Sequence, residues 1–246
     1  MRRKAAHFRS GALGAARLRM TSNGVEACRR MTRIKICGIT NMEDALAAVE
    51  LGAHALGFVF APSPRRLEPE AAHEIVRALP PFVAAVAVVM DEPIEELRRK
   101  LRRSGCHSVQ LHGAESPGYV HALSGWNVIK AFRIARKTDL EQLADYDGAD
   151  AFLLDSGVSG KAGGTGVSFD WRLARLAADR GSPNVAGKPI ILAGGLNCGN
   201  VRAALETARP YAVDVSSGVE AAPGRKDHHL MREFVRAVRD YDASQA

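Results

Sequence analysis

Several absences narrow the field first. No apolar run approaches the roughly 20 residues that a membrane-spanning helix needs, so no membrane partner is expected. The four cysteines (Cys28, Cys37, Cys106, Cys198) show neither CxxC spacing nor a dense framework. That argues against a disulfide-stapled secreted module and against a zinc site, and for a reducing, cytoplasmic setting. No continuous apolar core follows the first methionine, so a secretory signal is not supported. No GxGxxG follows the first strand candidate, which weakens a doubly wound dinucleotide fold. The folded part also lacks net charge. Residues 1–31 hold eight Lys and Arg against the single acid Glu26, which accounts for the whole formal charge of +7. What remains is balanced and offers no basic field to nucleic acid.

What is present is ordinary globular composition, 46% hydrophobic and 25% charged over 246 residues, enough for one α/β barrel or two small domains. Residues 1–31 show no sustained periodicity and read as a disordered Arg-rich extension. A transit peptide would have this composition. The preferred explanation is a start placed upstream of Met31, which falls just before the first strand. From 32 to 242 the chain reads as a single catalytic domain. Strand-like segments at 33–37, 54–60, 82–89, 106–111, 127–132, 150–154, 189–193 and 211–215 alternate with helix-like ones. The helices fall at 42–51, 69–79, 93–104, 117–124, 138–146, 169–179, 199–207 and 227–240. Runs such as FVAAVAVVM are almost wholly apolar, as parallel strands buried on both faces require. Eight such units predict a closed (β/α)8 barrel; an open doubly wound sheet is the runner-up.

The first strand organises the chemistry. In RIKICGIT the period of two puts Arg33, Lys35 and Cys37 on one face and Ile34 and Ile36 on the other. Thr40 and Asn41 then cap the next helix, with Glu43 and Asp44 in its first turn. Polar residues recur at strand ends, where a barrel gathers its loops on one rim. They are Arg65 and Arg66, Gln110 and His112, Asp155, Gly163 and Gly164, Gly194 and Gly195, and Ser217 and Gly218. The loops ILAGGLN and DVSSGVE stand after strands 7 and 8, the usual place of a phosphate site in such barrels, and glycine lets backbone N–H groups approach an anion. Cys37 and Asp155, on well separated strands, suit an acid–base pair for isomerisation at carbon without a cofactor. Arg65 suits a second acidic group on the substrate. Lys35 and Asp214 share inward parity on strands 1 and 8, neighbours in a closed barrel, and predict a buried or half-buried ion pair. His54, His73, His107, His121, His228 and His229 show no metal-ligand spacing.

Ten motifs in order carry a family resemblance. KICGIT, GFVF, SPR, QLHG, LLD, GGTG, FDW, LAGGLN, DVSSGVE and PGRKD, running from about Met31 to Asp240, resemble phosphoribosylanthranilate isomerase of tryptophan biosynthesis. The resemblance implies a TIM barrel and an Amadori rearrangement of N-(5-phosphoribosyl)anthranilate to the carboxyphenylamino-deoxyribulose phosphate, with no cofactor and no metal. It implies Asp155 as the acid that protonates the ring oxygen and Cys37 as the base at C2. It gives Arg65 the anthranilate carboxylate and the glycine loops, with Ser217, the phosphate, Gly163 and Gly164 lying on a mobile loop. Lys35, Gln110, His112 and Asp214 complete the pocket. Lys35 is close to Cys37 in sequence but on a neighbouring layer, and no tuning of the thiol is assumed from it. A monomer is the default. Departures fall at Val86–Asp91 (VAVVMD), where the family often has Val-Gly-Val-Phe followed by asparagine, in the loop after strand 6, and at Arg180–Lys188; Met90 is the position of least certain role.

Two alternatives stand beside this. The histidine-pathway isomerase performs the same kind of rearrangement, but with a carboxylate where this chain has Cys37. A non-catalytic barrel that only binds a phosphorylated ligand would not need an intact acid and base.

Overall fold

The computed structural model describes residues 31–155, 170–178 and 187–245. Eight parallel strands close into a barrel in sequence order: β1 (Arg33–Cys37), β2 (Ala55–Val59), β3 (Ala84–Val89), β4 (Ser108–Leu111), β5 (Asn127–Arg133), β6 (Ala151–Asp155), β7 (Ile190–Leu192) and β8 (Ala212–Val215). The open-sheet alternative is thereby overturned, since β1 pairs with β8 as well as with β2. Outside the strands lie α1 (Met42–Glu50), α2 (Pro69–Val76), α3 (Ile94–Ser104), α4 (Pro117–His121), α5 (Trp171–Ala178), α6 (Val201–Ala208) and α7 (His228–Ser244). None of the described helices is long and apolar enough to cross a membrane.

Strand parity sorts the core into two layers. Ile34, Ile36, Leu56, Phe58, Phe152 and Leu154 face outward into the large cluster beneath the helices. Ala131, Ala151, Leu153, Ile191, Ala193 and Ala212 form a smaller cluster from the alternate positions of β5–β8 and the residue after β7. On β1, β4 and β8 those inward positions are filled by Lys35, Gln110 and Asp214, all buried. Lys35 and Asp214 are tolerable there because each neutralises the other.

Three local expectations need revision. Strand 3 begins at Ala84 rather than at residue 82: Val83 N–H closes a turn onto Pro80 O at 3.1 Å, which leaves Phe82 outside the ladder and 94% exposed. The fifth helix is a 3₁₀ run over Lys137–Asp145. Its start is held by the Asp139 carboxylate, which accepts from the N–H groups of Ala135 and Arg136 at 2.8 Å each. Third, a short antiparallel hairpin, β9 (Glu220–Ala222) with β10 (Arg225–Lys226), follows β8 and was not anticipated. The N-cap of α1 is Asn41, whose side chain accepts from Asp44 N–H at 2.8 Å, as the sequence predicts.

Candidate active site

The rim at the carboxyl ends of the strands gathers the polar residues in two groups. The first surrounds Cys37. Register pairs Lys35 with Asp214 and Cys37 with Gly57. Lys35 Nζ lies 2.9 Å from Asp214 Oδ1, with side chains 4% and 9% exposed, which is the predicted ion pair. Gly57 explains how lysine and thiol fit together. A methyl group there would stand 2.8 Å from Cys37 Sγ and 3.1 Å from Lys35 Nζ, so both atoms use the space that only glycine leaves. Although Lys35 belongs to the neighbouring layer, its amine stands beside the Cys37 sulfur. Residues two apart on a strand share a face, and the lysine stem climbs one layer to bring its amine there. Burial pushes the Cys37 thiol above its ordinary range; Lys35 and Lys226 pull it down, and Asp214 adds to the rise. Burial would lower the Lys35 ammonium, but Asp214 and Cys37 outweigh it and hold it above its ordinary range.

The second group lies across the mouth. Gln110 Nε2 donates to His112 Nδ1 at 2.8 Å, and His112 Nε2 approaches Asp155 Oδ2 at 3.4 Å. With Nδ1 accepting from Gln110, Nε2 is the ring nitrogen turned to the Asp155 side, at a distance longer than a good hydrogen bond. His112 and Asp155 are 23% and 31% exposed at the side chain, whereas Gln110 is buried. Beside His112 opens a cavity of about 510 Å³, lined also by Met90, Phe132 and Arg133.

Arg65 stands between the β2 end and the hairpin. Its Nε and Nη2 donate to Glu220 Oε1 and Oε2 at 2.8 and 2.6 Å. The arginine fork is thus engaged by one of the chain's own carboxylates, and among the described residues Nη1 makes no hydrogen bond. Gly38, with φ of +78°, makes room for the arginine stem; a Cβ there would stand 2.6 Å from Arg65 Cδ. Arg66 is exposed and pairs with Glu68 at 2.9 Å.

Sequence reasoning missed three participants. Lys226 Nζ is fully buried and donates to Cys37 O (2.6 Å), Ser216 O (3.2 Å) and Glu220 Oε1 (2.8 Å). Glu220 is thereby shared between Arg65 and Lys226; burial opposes its charge, but the two cations hold its carboxyl below the ordinary range. Asp44 accepts from Lys226 N–H and pairs with His228 Nε2, both at 2.9 Å, fixing the hairpin to α1. The PGRKD motif was the available pointer, but β9 and β10 are too short to show a period.

The two glycine loops meet. Gly194 and Gly195 have φ of +85° and +68°, and Asn200 ties their turn by accepting from Asn197 N–H and donating to Gly195 O, both at 2.9 Å. Gly218 follows Ser217 in a 3₁₀ turn and abuts this loop. A Cβ at Gly218 would overlap Leu196 O and lie 3.0 Å from Asn197 Cβ and from Leu196 C. Gly163 and Gly164 lie outside the described residues. Among the described residues no three His, Cys, Asp or Glu side chains are grouped as a metal ion would need.

Comparison with known proteins agrees with this geometry. The family model described as N-(5'-phosphoribosyl)anthranilate (PRA) isomerase matches residues 34–237. An N-(5'-phosphoribosyl)anthranilate isomerase of Trichlorobacter lovleyi is 49% identical over 211 residues, 85% of this chain and 99% of the relative. The crystal structure of the enzyme from Thermotoga maritima superposes with a TM-score of 0.78 at 42% identity, covering 85% of this chain and all of that one. A second such structure, in complex with reduced 1-(o-carboxyphenylamino)-1-deoxyribulose 5-phosphate, gives 0.75 at 40% identity, with coverage of 85% and 100%. A match that runs through every strand of the barrel, at close to half identity, shows that the chain belongs to the N-(5'-phosphoribosyl)anthranilate isomerase family.

Proposed function

We propose that the family's Amadori rearrangement runs here between Asp155 as general acid and Cys37 as general base. One observation carries the reading: a thiol on β1 and a carboxyl on β6 face one barrel mouth from opposite sides, each backed by its own polar partners. The Asp155 carboxyl gives its proton to the furanose ring oxygen as the C1–O bond breaks, and the nitrogen lone pair forms the C1=N iminium. The Cys37 thiolate then takes the proton from C2. The C–H electron pair becomes the C1=C2 bond, and the iminium pair returns to nitrogen. The enolamine so formed tautomerises to the ketone. The iminium acidifies C2–H, so a thiolate is basic enough.

Arg65 holds the anthranilate carboxylate through its Nη1 edge, oriented by Glu220. Gly194, Gly195, Ser217 and Gly218, together with Gly163 and Gly164, grip the phosphate. Gln110 and His112 fix Asp155. We take the monomer as the default state; sedimentation at a dimer mass would overturn it. Cys37, Cys106 and Cys198 are free thiols, which supports a reducing, cytoplasmic setting. We take 32–242 as the catalytic domain; residues 1–30 of the expected Arg-rich extension 1–31 lie outside the described residues.

Fluorescence loss of freshly made phosphoribosylanthranilate tests the roles. Cys37→Ala and Asp155→Asn should each lower kcat at least about a hundredfold with the fold intact. Unchanged turnover in either variant removes that residue from its role.

A further inference from the structure

A cysteine is a poor base while it keeps its proton, and Cys37 sits where burial favours the neutral thiol. Something nearby must hold the anion. The charged groups that face Cys37 come from four directions. Lys35 lies below it on its own strand, and Asp214 beside that on β8. Lys226 of β10 bonds the Cys37 carbonyl oxygen, and Arg65 reaches over Gly38 with Glu220 of β9 between these two cations. β2 and β3 present only Gly57, Val59 and Val88. Three cations thus meet two carboxylates, and the missing negative charge matches a thiolate. Of the three, Lys226 spends its ammonium on two carbonyl oxygens and Glu220, and Arg65 spends its fork on Glu220. Lys35 differs. Asp214 takes one of its three N–H donors, and the amine lies beside the sulfur in the space opened by Gly57.

We propose that Lys35, held by Asp214, is the positioning residue that makes Cys37 usable as a base: its ammonium donates a hydrogen bond to the thiolate sulfur and keeps all its protons through the reaction. The inference rests on the reading of Cys37 as the base. The C2 proton ends on sulfur, Lys35 remains a cation, and Asp214 never leaves it. Asp214 serves two ends: it keeps the buried amine protonated, and it fixes the amine toward β1 rather than toward the substrate.

In a thiol–carboxyl pair the ordinary order of titration leaves the proton on sulfur. The working form, thiolate with carboxylic acid, has the same number of protons and is its minor partner. Its share falls tenfold for each unit by which the thiol becomes harder to ionise. Loss of Lys35 should therefore lower the plateau of kcat/KM against pH and move its alkaline limb upward together. A merely structural role would lower the plateau and leave the limb in place.

The test uses the full-length protein. Thiolate absorbance at 240 nm, taken as the difference from Cys37→Ala, titrates the sulfur without turnover, and kcat/KM is followed over the same pH range. In Lys35→Met the half-ionisation of Cys37 should move up by at least about one unit, with kcat/KM down about tenfold for each unit. Lys35→Met/Asp214→Asn leaves no orphaned buried charge and covers the case in which the single variant does not fold; it should shift in the same direction, by less. An unmoved titration in a folded variant overturns the inference. Undiminished turnover by Cys37→Ala would instead sink the base reading, while the titration still reports on Lys35.

Discussion

Replacing Gly218 by alanine tests the contact on which the proposed phosphate site depends. The added methyl carbon would lie 3.0 Å from both Leu196 C and Asn197 Cβ and overlap Leu196 O. Carbon atoms pack best at about 3.5–4.0 Å, so the β7 and β8 loops must part by roughly 0.5–1 Å, and by more at the oxygen. Two of these three atoms are backbone, so no side-chain rotation relieves the clash. Forcing an atom into a packed contact costs about 1–3 kcal/mol, which should lower the urea midpoint. The functional effect should be larger. Displacing a binding group by about 1 Å can cost on the order of a hundredfold, and here it should appear as raised KM and weaker inhibition by inorganic phosphate. Ionisation of Cys37, on the other side of β8, should not change. A Gly218→Ala protein with wild-type stability would refute the close approach of the loops. One that is less stable but keeps its KM and phosphate inhibition would refute the phosphate assignment.

Glu220→Gln preserves shape but removes the carboxylate between Arg65 and the buried Lys226; leaving that lysine without its charged partner should cost about 3 kcal/mol in a urea melt. The same variant should raise KM more than it lowers kcat, because Arg65 loses its orientation rather than the acid or base its place; an unchanged KM would refute the link. Burial pushes the Cys106 thiol up from 9.0 to about 11. A raised folded value means that the contribution is complete below the unfolded value and is lost as pH rises through the folded one. Stability should therefore fall by about 2 kcal/mol between pH 9 and 11 in the parent protein, and that component should be missing from Cys106→Ala in denaturation curves at the two pH values. Parallel curves for the two proteins would show that Cys106 ionises freely in the fold.

The part of the site that could be read from sequence is the part built on long alternation. β1 and β8 each carry an inward residue that a barrel core would not accept alone, and closure makes those two strands neighbours, so Lys35 and Asp214 had to meet. The same parity put Cys37 and Asp155 at the mouth. Where the period was too short, the reading stopped. Glu220 and Lys226 lie on strands of three and two residues, and their partners Arg65 and Cys37 are far away in sequence. Asp44 read as an acid in the first turn of a helix, which it is, but nothing local shows that it also receives Lys226 and His228. The reach of Lys35 to the sulfur depended on Gly57, whose missing side chain is visible in sequence only once the register of β1 and β2 is known.

The two sides of the mouth differ in a way that matches their proposed tasks. Around Cys37 the charges are buried, paired and fixed from four elements, with Lys35, Asp214 and Lys226 under a tenth exposed. Around Asp155 the groups are half-buried, and one contact, to His112 at 3.4 Å, is long. A base that removes a proton from carbon profits from a dry, preorganised cation, because water would solvate the thiolate and blunt it. An acid that has given its proton to an oxygen must regain one before the next turnover, and partial access to solvent supplies it. The asymmetry predicts which side tolerates substitution. Conservative changes at Gln110 and His112 should lower the rate without unfolding the barrel, whereas an uncompensated change at Lys226 or Asp214 should cost stability first, since each leaves a buried partner charge unpaired.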